Sequence, residues 1–451
     1  MTEKIPNGFS KRNLLALTVV LSVFGCIGGA MSLPFLFESP TMYYKFGVNK
    51  LLLRSAKMVG LAAAVLLLLQ LPLAGRLKWL DRIFSLPGLY RLHRLNAYVI
   101  GVLVVSHPVL VLAPEGRWLL PFELRYWPEW VGAALLTMII AQLALGRWHG
   151  RIFRAYHNWR GIHLNLGILI LILLMVHILF VSETFESVGP PRNLVFGAAI
   201  GSIVLWVWIR MSRLRWGEKR FLVTRVEMAG LNAYCIDLKP ERPPHFRYVP
   251  GQFAFISLIS AHISREYHPF TIASTPSRPG TVQLIIRCCG DWTHRINTVQ
   301  KGDRAFIQGP FGRFSHLMIP SWREVIMIAG GIGITPMMSM LQFMTDQGDS
   351  RPITLIWSNR TRAHLFGVNE LTAMREKLTS FHWVPIFTRE SENDGRPGRL
   401  DRNALETLLS ACRRDAAIFL CGPPLMVKQV RKDLRRIGFA AKSIHFEAFN
   451  F

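Results

Sequence analysis

Acidic residues are scarce in this chain. Its 451 residues hold 28 aspartates and glutamates against 53 lysines and arginines, a net charge of +25. Cysteine is scarce too. The six (Cys26, Cys235, Cys288, Cys289, Cys412 and Cys421) form no CxxC pair and no zinc-ligand spacing, which excludes a zinc ribbon and indicates no disulfide framework. There is no calcium loop of the EF-hand type, so calcium activation is not expected. Low-complexity tracts are missing, and the C-terminal half holds no internal repeat. The N-terminal apolar run lacks a small-residue cleavage site and further apolar runs follow it, so it reads as a first membrane span and not as a cleaved signal peptide.

What the chain has is apolar length in its first half. Hydrophobic residues make up 51% of the whole chain, and runs of about twenty alternate with short basic or turn-rich connections up to Met211. Six spans are predicted, near residues 13–36, 56–74, 93–113, 129–146, 161–181 and 193–211. Gly25, Gly28 and Gly29 in the first suit close helix packing. The basic excess follows the same rhythm. Seventeen lysines and arginines, among them Lys11, Arg76, Arg91, Arg94, Arg160 and Arg220, flank one side of the spans, against seven on the other, including Lys50, Arg54 and Arg192. The positive-inside rule then puts both termini in the cytoplasm of a multi-pass cell-membrane protein, in the inner membrane if the source is bacterial. The charge is topological, contacting lipid, and nucleic-acid binding is not expected.

Four histidines stand inside these spans as two pairs, His93 with His107 and His163 with His177, each fourteen residues apart. Fourteen residues fall about 40° short of four turns, so both members of a pair point from nearly the same face, at levels roughly 21 Å apart. If the two helices are parallel neighbours, His93 faces His163 and His107 faces His177. That arrangement can hold two stacked haems with bis-histidine ligation. Ionisable side chains in membrane spans are rare and costly, which favours function over a hydrogen-bonded core role. His149 also precedes His163 by fourteen residues, but it and His157 fall in the basic stretch GRWHGRIFRAYHNWR and are read as interfacial loop residues.

After Arg220 the pattern is that of a soluble protein. Short alternating strands such as FLVTRVEMAG, AYCIDLKP and TVQLIIRCC predict an antiparallel β-barrel to about Pro320. Beyond it, strand, glycine turn and helix alternate, which predicts a parallel α/β sheet. The domains expected are 1–215, 216–319 and 320–451. The turn from Gly330 to Pro336, with Gly331, Gly333 and Thr335, links a strand to a helix N-terminus suited to a pyrophosphate. Cys421, Gly422 and Pro423 form a second strand-to-helix turn, at the kind of sheet edge where ligands bind. In the barrel, HPFTIAS (His268, Pro269, Phe270, Thr271, Ser274) offers an aromatic and two hydroxyls to a planar ring. Arg287, ahead of a small glycine turn, suits a diphosphate.

With these motifs in hand, together with VPGQF, GPFG and the ending FEAFNF, the chain resembles the NADPH oxidase and ferric reductase family over nearly its whole length. The resemblance implies an FAD ring against His268, Pro269, Phe270 and Thr271, with its diphosphate near Arg287, Gly290, Trp292 and Thr293. It implies a dinucleotide on Gly330, Gly331, Gly333 and Thr335, Cys421 beside the nicotinamide, and Phe449 covering the flavin, with Phe451 a competing candidate. Electrons would run from NAD(P)H through FAD and two b-type haems to a small-molecule acceptor outside. The strand before Arg360 ends without an acidic residue, which favours NADPH over NADH. Arg54 is a candidate for haem propionates at the outer edge, or a snorkelling interface charge.

The acceptor stays open between oxygen, giving superoxide, and a ferric complex. Animal superoxide-producing members carry a further histidine one turn past the outer ligand, and Val111 stands there. Two other readings compete: a haem reductase feeding a periplasmic partner protein, and a nucleotide-gated histidine proton channel without enzyme activity.

Overall fold

The structure, a computed structural model, describes residues 8–39, 41–116, 120–153, 156–181, 189–212, 218–242, 246–278, 280–319, 322–390 and 398–448. The chain divides into two compact units, Met1–Ser212 and Arg213–Phe451.

The first unit is helical. Its elements are α1 (Gly8–Leu36), α2 (Gly47–Ala74), the short α3 (Lys78–Phe84), α4 (Leu86–Leu112), α5 (Trp127–Ile152), α6 (Tyr156–Val181) and α7 (Pro190–Ser212). All but α3 are long and apolar enough to cross a membrane, so all six predicted spans are helices. Buried Asp81 accepts a hydrogen bond at 2.7 Å from Leu86 N–H, which caps α4 and sets a negative charge at its positive end. Ala64, Leu67, Ile100, Leu135, Ile139, Ile170 and Leu174 meet in an apolar core drawn from α2, α4, α5 and α6. Ile100 lies midway between His93 and His107, and Ile170 midway between His163 and His177, so this core separates the two histidine levels.

In the second unit, β1 (Glu218–Met228), β2 (Ala233–Pro240), β3 (Phe253–Ile259), β4 (His268–Thr271), β5 (Val282–Arg287) and β6 (Arg304–Phe311) form one antiparallel sheet, ordered β4-β3-β6-β1-β2-β5. The expected barrel is not closed by a continuous ladder. Its edges meet through the bridge Ile272–Leu284, the 2.8 Å bond from Ala273 N–H to Gln283 O and the 3.1 Å bond from Gln283 N–H to Ser274 Oγ. Aliphatic side chains such as Ile236, Ile256, Leu284 and Ile307 fill the inside.

A parallel sheet follows, built from β7 (Val325–Gly330), β8 (Ile353–Asn359), β9 (Phe381–Phe387), β10 (Ala417–Gly422) and β11 (Ile444–Ala448) in the order β11-β10-β7-β8-β9. Along β7, Val325, Met327 and Ala329 feed one core, and Ile326 and Ile328 feed another. Both faces are therefore covered, as an all-parallel sheet requires. The order reverses between β7 and β10, which opens a crevice at their C-terminal ends.

Candidate cofactor sites

The structure pairs the membrane histidines across α4 and α6. The ring centroids of His93 and His163 are 6.3 Å apart, and those of His107 and His177 are 6.4 Å apart. Two metal–imidazole bonds of about 2 Å plus two ring radii give roughly 6–6.5 Å, so each pair has room for one iron and for little else. At the level of His107 and His177 one nitrogen of each ring is already engaged: His107 Nδ1 lies 2.9 Å from Ala56 O and His177 Nδ1 lies 3.1 Å from Pro128 O. Donating there leaves Nε2 free to bind metal. At the level of His93 and His163 the Nδ1 atoms are buried and make no hydrogen bond among the described residues. The donor set therefore fits a bis-histidine haem at each level.

Small residues make this possible. A Cβ on Gly60 would lie 2.9 Å from the His107 ring, and one on Gly132 would lie 2.5 Å from the His177 ring. Gln70 Nε2 donates to His93 O at 3.2 Å, and Gln142 Nε2 donates to His163 O at 2.8 Å.

In the antiparallel sheet, β4 carries His268, Pro269 and Phe270 half-exposed on an edge strand, with Thr271 buried. Trp292 backs them, stacked on Phe270 at 5.9 Å and tilted on His268 at 4.4 Å, and its indole N–H donates to Ser264 O. Thr271 Oγ1 is buried with no partner among the described residues, which leaves a hydroxyl for a ligand on this strand. Ser274 is otherwise engaged: its Oγ lies 2.8 Å from Tyr248 Oη and accepts from Gln283 N–H. Thr293 Oγ1 accepts from the N–H groups of Cys289 and Gly290, closing the turn that carries Trp292.

The two strand-to-helix turns sit together at the reversal of the parallel sheet. A Cβ on Gly333 would meet Cys421 O at 2.4 Å, and one on Gly422 would meet Gly330 Cα at 3.1 Å. Gly330 itself faces Met426 and Pro423. These glycines are required by the close fit of one turn on the other. Gly331 differs. Its φ of +54° needs glycine, and the Arg287 guanidinium lies 3.4 Å from where its Cβ would be. Trp357 Nε1 donates to Gly331 O, and Thr335 Oγ1 donates to Ile332 O. This fixes the turn at the start of α8 (Thr335–Asp346). Cys421 is fully buried in the core, and burial, then Glu447 beside it, pushes its thiol well above the ordinary range.

Comparison with known proteins agrees with this geometry. An FAD-binding domain family matches residues 220–313, and an oxidoreductase NAD-binding domain family matches residues 327–432. The reductase component of propane 2-monooxygenase from Rhodococcus jostii is 27% identical over 51% of this chain and 64% of its own length. Human dual oxidase 1 is 25% identical over 73% of this chain, a stretch that reaches into the helical unit, and over 24% of its own length. The chain carries an FAD-binding and an oxidoreductase NAD-binding domain, and its likeness to dual oxidase 1 extends into the helical unit. It thus spans less than two thirds of these relatives. Among solved structures, the flavohemoglobin of Malassezia yamatoensis shares the fold at a TM-score of 0.50 and 16% identity, over 91% of this chain and 99% of that one.

Several residues of the flavoprotein lie elsewhere than expected. His149 is not in a loop: α5 runs to Ile152, and the ring packs on Trp159 at 4.6 Å, which in turn packs on His163 at 5.2 Å. His157 falls in the first turn of α6. Arg54 forms an ion pair with Glu38, which also binds Lys50 at 3.3 Å, so its charge is met within the protein. Phe449 and Phe451 lie outside the described residues. Arg360 is exposed at the end of β8. Beside it is a residue sequence reasoning passed over. His364 is held below its ordinary pKa by desolvation first, then by the charges of Arg287, Arg360 and Arg389. Those guanidiniums come from three separate segments, so only the fold gathers them.

Proposed function

We propose that the flavoprotein is a transmembrane oxidoreductase that moves electrons from cytoplasmic NAD(P)H to a small-molecule acceptor outside the membrane, either oxygen or a ferric complex. The observation that carries this reading is the pair of histidine gaps, 6.3 and 6.4 Å, stacked on opposite sides of one apolar core. When bound, FAD would accept a hydride and release electrons singly, and two b-type haems would relay them.

The chain's own residues supply positions. His93 with His163, and His107 with His177, would each hold one iron through Nε2. His268, Pro269, Phe270 and Thr271 would hold the flavin ring, and the turn around Gly331 the dinucleotide diphosphate. The apolar core between the levels keeps water and protons out of the path. That same core, and the outer Nδ1 atoms held by main-chain carbonyls, count against a histidine proton channel.

The test is a spectrum of the purified full-length protein. Two b-type haems per chain after dithionite reduction support the reading, and a folded chain with no haem sinks it. Vesicles supplied with NADPH inside, then offered oxygen, ferric chelates or quinones outside, identify the acceptor, with superoxide dismutase as control.

NADPH is the preferred donor in this proposal, because β8 ends without an acidic residue and Arg360, exposed just after it, would receive a 2′-phosphate. A charge-assisted hydrogen bond contributes about 1.5–3 kcal/mol, so Arg360→Ala should cut the NADPH-over-NADH preference roughly 10- to 100-fold. Steady-state kinetics with both dinucleotides check this, and an unchanged ratio excludes Arg360 from the phosphate site.

A further inference from the structure

Each membrane histidine meets a fixed position on a neighbouring helix. On α2, Ala56 faces His107 and Gln70 faces His93; on α5, Pro128 faces His177 and Gln142 faces His163. The supporting positions are fourteen residues apart on each helix, as the histidines are. Going from the first helix pair to the second adds 72 to every supporting position, Gly60 to Gly132 included, and 70 to each histidine. The contacts repeat with the numbers: carbonyl to outer Nδ1, glycine under the outer ring, glutamine amide to the inner histidine's main chain.

We propose that α2–α4 and α5–α6 are two copies of one helix-pair unit, and that Gln70 and Gln142 are the positioning residues of the inner ligands His93 and His163. This rests on the bis-haem reading above. An imidazole that binds iron through Nε2 must carry its proton on Nδ1, and a buried N–H needs an acceptor. The outer histidines have main-chain carbonyls. The inner ones make no such hydrogen bond among the described residues, although the Gln70 main-chain carbonyl lies toward the His93 ring, and the Oε1 of the glutamine bonded to the same histidine is equally buried and equally unpartnered. Each inner ligand thus has an Nδ1 without an acceptor, and the glutamine bonded to its main chain has an Oε1 without a donor, at equivalent places in both units. The glutamine amide holds the ligand's main chain, and its carbonyl oxygen serves the Nδ1–H of the liganded ring.

The experiment uses the full-length, haem-loaded protein with Gln70→Met and Gln142→Met, singly and together, followed by electron paramagnetic resonance of the ferric haems and by redox titration. His93→Ala marks which signal belongs to the inner haem. The glutamine variants should shift the inner signal and raise its midpoint potential, because a ring without an acceptor donates less to iron. The outer haem and flavin reduction by NADPH should stay as in the wild type. Loss of one haem equivalent out of two, the outer one kept, supports the proposal equally. Gln→Glu, protonated when buried and keeping a carbonyl oxygen, should restore the inner signal, and it carries the test if the methionine variants fail to fold. Both haems shifting together, neither shifting, or no rescue by glutamate overturns the assignment. A wild-type chain without haem is a different outcome, and it overturns the bis-haem reading itself.

Discussion

Replacing His107 or His177 with alanine lowers electron delivery to any acceptor outside by ~100-fold or more, while NAD(P)H still reduces the flavin at the wild-type rate. Each outer ring faces only its partner across 6.4 Å, and each is oriented by one carbonyl, from Ala56 or Pro128. Removing either ring leaves a five-coordinate or empty level with no other described histidine near it to substitute. Nothing in the flavin or dinucleotide residues depends on that level, since they belong to the separate unit Arg213–Phe451. Stopped-flow bleaching of the flavin, with acceptor reduction followed in parallel, separates the two steps. Loss of flavin reduction in a folded variant would show that the order of transfer is wrong.

Gly333→Ala and Gly331→Ala should fail in different ways, although they are two residues apart. At Gly333 the added methyl would meet the main-chain oxygen of Cys421 at 2.4 Å, where neither backbone can give way without parting β7 from β10. Overpacking of this kind costs roughly 1–3 kcal/mol, or a fall of roughly 5–10 °C in Tm for a unit of this size. At Gly331 the methyl meets only the end of Arg287, at 3.4 Å, and the positive φ adds about 1 kcal/mol. The second variant should melt only about 2–4 °C below the wild type and bind NADPH about tenfold more weakly, since the methyl crowds Arg287 at the turn. Thermal release of flavin and the KM for NADPH measure both effects. A stable Gly333→Ala chain with weakened NADPH binding would return that glycine to the ligand.

Much of this architecture could be read from periodicity. The spans are long apolar runs, the histidine pairs share one helical step, and the change from alternating strands to strand, glycine turn and helix marks the two sheets. What stayed hidden depends on partners distant in the chain. Gly60 and Gln70 carry no signal until α2 is known to lie along α4, and the same holds for Gly132 and Gln142 along α5. The offset of 72 was present in the residues, but spread over positions with no motif of their own. For Gly330, Gly333 and Gly422 the residue type was legible and its reason was not: they look like a phosphate cradle, yet packing between segments some ninety residues apart already demands them. His149 was taken for a loop residue because arginines flank it, and the helix runs on through them.

The two histidine levels differ in what a change of sequence can reach. At the outer level the atoms that orient the rings are peptide oxygens of Ala56 and Pro128, which every side chain shares, so no single substitution deletes them. At the level of His93 and His163 the groups proposed to serve the rings are glutamine side chains, which one codon change can remove or recharge. Selection, or an engineer, can therefore retune the His93/His163 level through polar side chains, whereas the His107/His177 level yields only to crowding a ring from Gly60 or Gly132, moving a helix or losing a ligand.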